Sequence, residues 1–224
     1  MKNKVLAHFA IIAFVIFALI STIDGLAFNK AFYAYEYQDL KTAQTLKMSE
    51  EDLFKTTDVL LDYTKGQSDS LECYANIDGS EREVFNEREK MHMVDVRNLY
   101  LNAKNFSLLM AIVFITSIIL LLKDREIFFK LFNAFKHILA VLVLLISVIT
   151  FYVFTNFYDF WVFFHEIFFT NDLFYLDPKT SILIQMVPEQ FFTHLVLAII
   201  LVFGLVIVLL YFILDYLRKR VYND

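Results

Sequence analysis

The sequence predicts an all-α polytopic membrane protein with four transmembrane helices and a mainly helical extracellular cap. Three observations predict this fold class. Hydrophobic residues make up 58% of the 224-residue chain, against roughly 45–50% in ordinary soluble domains. Four apolar runs without Asp, Glu, Lys or Arg are long enough to cross a bilayer. The chain contains only 4 Gly and 2 Pro, so few residues interrupt a long helix.

The composition also excludes several classes of protein. Four scattered glycines do not form a glycine-rich loop for phosphate binding. Cys73 is the single cysteine, which excludes a disulfide scaffold. The net charge of −5 provides no basic surface for nucleic acid, and the apolar content is too high for a disordered chain.

The four apolar runs are predicted to be helices, because backbone polar groups must be satisfied internally in hydrocarbon. They are Val5–Ile23, Phe106–Leu122, Ile138–Asn156 and Leu195–Leu214. A basic start followed by the first run also fits a signal peptide, but the run is longer than a usual signal core, so a retained span is favoured. The predicted order is a first span at 1–23, a cap at 24–105, a second span at 106–122, a loop at 123–137, a third span at 138–156, an aromatic-rich loop at 157–194, a fourth span at 195–214 and a tail at 215–224.

The distribution of basic residues predicts the orientation of the spans. The N-terminal segment, the 123–137 loop and the tail together carry nine basic residues and four acidic ones. This excess is typical of cytoplasmic segments. Both termini are therefore predicted to be cytoplasmic, and the cap and the 157–194 loop are predicted to be extracellular.

Two helix starts are predicted in the cap. Ser49 precedes three acidic residues and an apolar stretch, which is the pattern of an N-cap. Ser80 and Glu83 fit a capping box. Because neither Gly nor Pro occurs between Glu81 and Leu122, one long helix is predicted to run from this box into the second span.

The third span and the loop after it are unusually aromatic. From Phe151 to Tyr175, thirteen of twenty-five residues are Phe, Tyr or Trp. Such a run fits an interfacial belt and a buried pocket equally well.

Candidate chemical groups lie outside the spans, which contain no charged residue and so disfavour a coupled transporter. His92 and Asp95 are three residues apart on a predicted helix, so the carboxylate is able to orient the imidazole, although a purely structural pair has the same spacing. His165 lies in the aromatic run, where burial would lower its pKa and leave a neutral base. His8, His137 and His194 are predicted to be interfacial.

Two further kinds of site have weaker support. A metal site built from His92, His165 and a carboxylate is conceivable, but no HExxH motif supports it. Cys73 has acidic surroundings, which disfavour a thiolate, and it is interpreted as a bystander.

Two motifs around these histidines resemble the bacterial lipoprotein intramolecular transacylase family. They are His92-Met93-x-Asp95-Val96 and Phe164-His165-x-x-Phe168-Phe169-x-Asn171-Asp172. Further matches along the chain include Phe32-Tyr33-x-x-Glu36-Tyr37 and Pro188-Glu189-x-Phe191-Phe192. One position departs from the family pattern, since Phe174 and Tyr175 stand where a Trp often follows the Asn-Asp pair.

The resemblance implies an enzyme of the bacterial cytoplasmic membrane with its active site at the outer face. The implied substrate is a diacylglyceryl lipoprotein, whose sn-2 acyl chain moves to the α-amine of its N-terminal cysteine. No cofactor, metal or nucleic acid is implied; membrane lipids surround the protein, and the oligomeric state is left open. Both His92 and His165 are implied to be catalytic, and which one is the base stays open.

The resemblance also implies a set of supporting residues. Asp95, Asn171 and Asp172 would fix imidazole geometry, and Phe164, Phe168 and Phe169 would line the pocket. Arg97 fits a contact with a polar part of the substrate and a solvated helix face equally well. Two other functions are weighed against the transacylase: a non-catalytic receptor or scaffold whose cap binds a peptide or lipid, and a metal-dependent membrane hydrolase.

Overall fold

The computed structural model describes residues 2–223. Met1 and Asp224, at the ends of the predicted first span and tail, lie outside the described residues. The elements follow in this order: α1 (Lys2–Ala27), α2 (Lys30–Asp39), α3 (Thr42–Leu46), α4 (Glu50–Thr64), β1 (Tyr74–Ile77), β2 (Ser80–Glu83), α5 (Glu87–Leu121), α6 (Ile127–Thr155), α7 (Phe157–Phe168), α8 (Ile182–Met186) and α9 (Glu189–Asn223).

Four helices of the described chain, α1, α5, α6 and α9, are long and apolar enough to cross a membrane. Each contains one of the predicted apolar runs, apart from Leu122 and Asn156, which lie just beyond the ends of α5 and α6. The prediction of four helical spans is therefore confirmed. All four helices extend beyond their apolar runs.

The chain folds into two compact units. The span unit comprises Met1–Leu26, Lys104–Thr155 and Val196–Asp224, and the site unit comprises Ala27–Ala103 and Asn156–Leu195.

The core of the span unit contains small residues from α1. Ala7, Ala10 and Ala18 are buried in a cluster that also includes Phe135 and Phe203. Small side chains let membrane helices approach one another closely. Large apolar side chains elsewhere in the unit are exposed, as expected for a surface that lipid covers; examples are Leu108, Leu144 and Leu209.

The predicted N-cap at Ser49 is confirmed at the start of α4. The Ser49 hydroxyl accepts a hydrogen bond from the Asp52 amide at 3.0 Å. Leu53, Leu60 and Leu61 are buried, so α4 places one apolar face in the core of the site unit.

The predicted capping box at Ser80 is wrong, because Ser80–Glu83 is a strand. It pairs antiparallel with β1, and Ala75 lies opposite Arg82. Asp78 and Gly79 join the two strands with φ values of 54° and 82°. Positive φ at both positions matches the twist of a two-residue hairpin turn, for which Asp-Gly is a favoured sequence.

The first turn of α5 has a capping box of its own, formed by Asn86 and Glu89. The Asn86 side chain accepts from the Glu89 amide at 3.0 Å, and the Glu89 carboxylate accepts from the Asn86 amide at 2.7 Å. The long helix therefore begins at Glu87 rather than near Glu81. It continues to Leu121, so one helix carries both His92 and the second predicted span, as expected.

The aromatic-rich segment after α6 forms α7 and a loop. The Asn156 side chain accepts from the Asp159 amide and caps α7. After the loop, Ser181 caps α8, and its hydroxyl donates to the fully buried carboxylate of Glu89 at 2.5 Å. The Leu183 amide donates to the same carboxylate at 2.8 Å. Glu89 thereby joins α8 to the first turn of α5.

Candidate active site

His92 and His165, far apart in sequence, face each other in the site unit. The centroids of their imidazole rings are 5.8 Å apart, with an angle of 33° between the ring planes. Each residue is only 7% exposed. The structure therefore brings together the two histidines that the sequence predicts to be functional.

A backbone hydrogen bond selects the tautomer of His165. Its Nδ1 lies 2.7 Å from the carbonyl oxygen of Trp161, one turn earlier on α7. A carbonyl oxygen only accepts, so Nδ1 carries the proton and the Nε2 of the neutral ring keeps its lone pair. His165 thus has one nitrogen that serves as a hydrogen-bond acceptor or a base.

Aromatic side chains surround the two imidazoles. Phe169 is 9% exposed, and its ring centroid lies 5.5 Å from both histidine rings. Phe174 stacks on His165 at 4.8 Å, and Trp161 makes an edge contact with it at 4.9 Å. The histidine pair therefore lies in an apolar environment with little access for water.

The other two predicted pocket residues occupy different positions. Phe164 makes an edge contact with His165 at 5.6 Å. Phe168 instead contacts Phe164 at 4.8 Å and is half exposed. Phe164 and Phe169 thus contact the histidines directly, whereas Phe168 lies behind Phe164.

Burial lowers the pKa of both imidazoles, which lie outside the apolar runs of the spans. For His92, desolvation is the largest cause; His165 lowers the pKa further, Asp95 opposes the shift, and the pKa falls from 6.5 to about 4. For His165, desolvation also lowers the pKa, and the hydrogen bond to the Trp161 carbonyl opposes it. Both rings are therefore neutral at pH 7.

Asp95, which the sequence places within reach of His92, makes no hydrogen bond to it. Its Oδ2 accepts from Nδ2 of Asn171 at 2.8 Å, and Nδ1 of His92 is buried without a hydrogen-bond partner among the described residues. Asp95 acts on His92 through its charge, which raises the histidine pKa.

Asp172 approaches α5 through its backbone rather than through its carboxylate. Its carbonyl oxygen accepts from Nη2 of Arg88, and the Nε of Arg88 donates to the carbonyl oxygen of Tyr175 at 3.2 Å. The Asp172 carboxylate is 3.6 Å from Arg88 and largely exposed. Asp172 therefore helps to fix the loop and has no bond to either imidazole in the described structure.

Arg97 has partners outside the histidine pair. Its Nη2 donates to Asp69 at 2.8 Å, and its guanidinium lies 4.8 Å from the centre of the Tyr63 ring. These contacts join α5 to the end of α4 and the segment that follows it.

The remaining histidines and the cysteine also have structural contacts. His194 Nδ1 lies 2.8 Å from the buried carboxylate of Glu36, and His8 Nε2 lies 3.2 Å from His137 Nδ1. Cys73 is buried, 3.6 Å from the Thr56 hydroxyl. Among residues 2–223, no group of three or more His, Cys, Asp or Glu side chains is arranged to hold a metal ion.

Comparison of the sequence with models of protein families shows which family the chain belongs to. The model of the lipoprotein intramolecular transacylase Lit matches residues 8–192, a range that includes both histidines. The chain belongs to the lipoprotein intramolecular transacylase family. With its four apolar helices, this membership identifies a bacterial membrane protein.

Solved structures share the fold of this transacylase-family chain. The membrane-integral lipoprotein intramolecular transacylase Lit from Bacillus cereus is 23% identical, with a TM-score of 0.80 over 100% of this chain and 97% of that chain. Two histidine-substituted variants of the same protein give TM-scores of 0.70 and 0.72 at 24% identity. They cover 98% and 100% of this chain and 92% and 95% of their own. No curated protein sequence matches the chain.

Two residues at this site of the transacylase-family chain are not predicted from the sequence. Arg88 bonds to two loop carbonyls, and Trp161 fixes His165. Arg88 lies one turn before His92 on the same helix face. This spacing is the one feature of the sequence that could have pointed to Arg88. The role of Trp161 is carried by its backbone carbonyl, for which no side-chain motif exists.

Proposed function

We propose that this chain is an intramolecular transacylase that acts on lipoproteins whose N-terminal cysteine carries a diacylglyceryl thioether. It moves the acyl chain from the secondary, sn-2 ester to the free α-amine of the same cysteine. The product is an N-acylated lipoprotein that keeps one glyceryl ester. Family membership and the two neutral imidazoles together support this reaction.

The reaction balances without a cofactor. The α-amine attacks the ester carbonyl and forms a C–N bond, the tetrahedral intermediate carries an oxyanion, and its collapse breaks the C–O bond to glycerol. One proton leaves the nitrogen and one reaches the glyceryl oxygen, so a single base that becomes an acid serves both steps. An ester and an amine give an amide and an alcohol, which is a downhill exchange.

His165 is the base in this proposal, and its bond to Trp161 is the observation that supports the assignment. With Nδ1 donating to the carbonyl, the lone pair on Nε2 is available to take the proton of the amine. The lowered pKa keeps this nitrogen unprotonated at pH 7. The resulting imidazolium then donates its proton to the departing glyceryl oxygen.

His92 stabilises the oxyanion in this proposal. Its Nδ1 is buried without a partner among the described residues, and an unpaired buried polar atom costs about 1–3 kcal/mol. A substrate oxygen would remove that cost at the moment when negative charge develops. A neutral imidazole, favoured by the pKa of about 4, carries one N–H, and with that hydrogen on Nδ1 it donates to the oxyanion.

The aromatic surroundings have two roles in the proposed reaction. They limit the access of water, which would otherwise hydrolyse the ester. They also hold the acyl chain and the glyceryl group so that the amine and the ester of one molecule meet in a near-attack geometry. Phe169 contacts both imidazoles and is the central residue of this pocket.

The site unit is proposed to face outward from the cytoplasmic membrane. The basic residues of the termini and of the 123–137 loop favour a cytoplasmic position for those segments. The amine of a lipoprotein becomes free on the outer side, after the signal peptide has been removed. Outer-face placement therefore agrees with the charge distribution and with the substrate.

The proposal is tested by expressing the chain in a bacterium with a diacylglyceryl lipoprotein and mass-mapping the N-terminal peptide. Wild type is expected to give an N-acylated peptide with a single glyceryl ester, and His165→Asn is expected to give the S-diacyl, free-amine peptide. A non-catalytic receptor or scaffold would leave the peptide unchanged in both strains. A metal-dependent hydrolase would instead lose activity in excess chelator, whereas the proposed reaction continues at an undiminished rate.

A further inference from the structure

We infer that Arg88 is a positioning residue, which holds the backbone of the 169–175 loop against α5 and so keeps Phe169 and Phe174 on the histidine rings. The inference rests on the proposed function, because the rate of transacylation is its main measure. In this inference Arg88 acts by orienting the loop residues that contact the histidines.

Arg88 and Asp95 attach the loop to α5 on either side of His92. Arg88, His92 and Asp95 recur at helical spacing along one face of α5. Arg88 donates to the carbonyl oxygens of residues 172 and 175, and Asp95 accepts from Asn171. Phe174, which stacks on His165 at 4.8 Å, lies in sequence between the two carbonyls that Arg88 binds. Its position therefore depends on these attachments.

Two amides of the loop are already paired within the loop and do not donate to the Tyr175 carbonyl. The amide of Leu173 donates to the Asn171 side chain at 3.0 Å, and the amide of Tyr175 donates to the Asp172 carbonyl at 3.1 Å. The Tyr175 carbonyl accepts from Arg88. An arginine meets two carbonyls at once, because its planar guanidinium presents several donors in a fixed fork.

The contact is made with the loop backbone rather than with the Asp172 side chain. The carboxylate of Asp172 is 81% exposed, and its Oδ1 lies 3.6 Å from Arg88. An exposed ion pair of this length contributes little. Arg88 could act on the loop backbone or through an ion pair with Asp172, and the two explanations give different results. If it acts on the backbone, removal of the Asp172 carboxylate lowers the rate of transacylation less than removal of the guanidinium does.

The experiment compares kcat and KM for four variants of the full-length protein in lipid vesicles, with a diacylglyceryl lipopeptide as substrate. Arg88→Gln is expected to lower kcat about 100-fold with KM within about 3-fold, because a 1 Å displacement of reacting groups costs about that much. Arg88→Lys keeps the charge without the fork and is expected to fall between Arg88→Gln and wild type. The decrease in kcat in Asp172→Asn is expected to be at least about tenfold smaller than the decrease in Arg88→Gln. Arg82→Gln, which alters an exposed arginine on β2, is the matched control and keeps wild-type kinetics.

A second measurement reports on the loop without catalysis. Trp161 is the only tryptophan of the chain and contacts His165, so acrylamide quenching of its fluorescence measures access to the pocket. Arg88→Gln is expected to increase quenching, and Arg82→Gln to leave it unchanged. If Arg88→Gln does not accumulate, Arg88→Lys provides the same comparison.

Two results would overturn the inference. One is wild-type kcat and wild-type quenching in the Arg88 variants. The other is an equal loss in Asp172→Asn and Arg88→Gln, which would assign the role to the carboxylate. If wild type itself forms no N-acylated peptide, the proposed function fails, and the quenching comparison still decides whether Arg88 holds the loop.

Discussion

His165 and Trp161, one turn apart on α7, are joined by a hydrogen bond of 2.7 Å between the imidazole Nδ1 and the backbone carbonyl. The bond selects one tautomer and leaves the Nε2 lone pair available. The Trp161 ring also packs edge-on against the same imidazole. A backbone carbonyl thereby orients His165 in the way that a carboxylate orients the histidine of a catalytic triad.

Loss of either imidazole should slow transacylation by orders of magnitude. His92→Gln and His165→Gln are each expected to lower kcat/KM by about 10²–10⁴-fold, the usual contribution of a positioned acid–base or oxyanion group. The double variant should be little worse than either single variant, because the two groups act on one transition state. The kinetics of purified variants on a diacylglyceryl lipopeptide give the measurement.

The histidine variants have a matched control in the span unit. His137→Gln removes a histidine that pairs with His8 and should leave the rate within about twofold of wild type. A fully active His165 variant would contradict the assignment of the base.

Acidification should protonate His165 only below the usual histidine range. Its pKa is lowered by burial, so the ring is neutral above the folded-state pKa and becomes cationic as the pH falls through it. An imidazolium quenches a neighbouring indole more strongly than a neutral imidazole does. Trp161 emission is therefore expected to fall on acidification, with a midpoint below pH 6.5, and activity should fall with it. His165→Gln is expected to remove the transition, and a midpoint at or above pH 6.5 would contradict the account.

Replacement of Phe169 should increase hydrolysis relative to transfer. Phe169→Leu keeps an apolar side chain but opens space beside both imidazoles, and water that enters competes with the α-amine. The ratio of free fatty acid to N-acylated product is expected to rise roughly several-fold, because the opened pocket admits water. Phe163→Leu, at an exposed position on α7, the helix that ends just before Phe169, is the control and should keep the wild-type ratio. An unchanged ratio in Phe169→Leu would show that this ring does not exclude water.

The predicted orientation is open to a labelling test, because the chain has a single, buried cysteine, Cys73. In a Cys73→Ser background, Glu81→Cys places a thiol on β2 and Lys123→Cys places one in the loop between α5 and α6. A membrane-impermeant maleimide added to intact cells should label the first variant and should label the second only after permeabilisation. The reverse pattern would place the site unit on the cytoplasmic side.

The sequence alone predicts the parts of this molecule that follow from local pattern. Charge-free apolar runs identified the four long helices, and Ser49 identified the start of α4. The capping box at Ser80 is wrong because an Asp-Gly turn pairs that segment with β1. The turn signal was present, but the short strands beside it have too little alternation to stand out.

Contacts between distant segments are not predictable in this way. Spacing and a family resemblance point to His92, His165, Asp95 and Asn171, with Asp95 placed to orient His92, whereas in the structure the Asp95 carboxylate accepts from Asn171. Glu89 stands in the first turn of α5, yet it is fully buried and accepts hydrogen bonds from the Ser181 hydroxyl and the Leu183 amide at the start of α8. Such partners depend on tertiary packing. No fixed spacing in a single sequence shows which distant residues will meet.

The most direct test follows one isotopically labelled acyl chain. A diacylglyceryl lipopeptide with a deuterated sn-2 chain is mixed with an unlabelled lipopeptide of different peptide mass, and both are incubated with the purified protein in lipid vesicles. The account predicts that the deuterated chain appears as an amide on the α-amine of its own peptide only, with an equal amount of the lyso-glyceryl group and no change in His165→Gln. Label that appears on the other peptide, that is released mainly as free fatty acid, or that stays in the sn-2 ester with folded wild-type protein present would contradict the account.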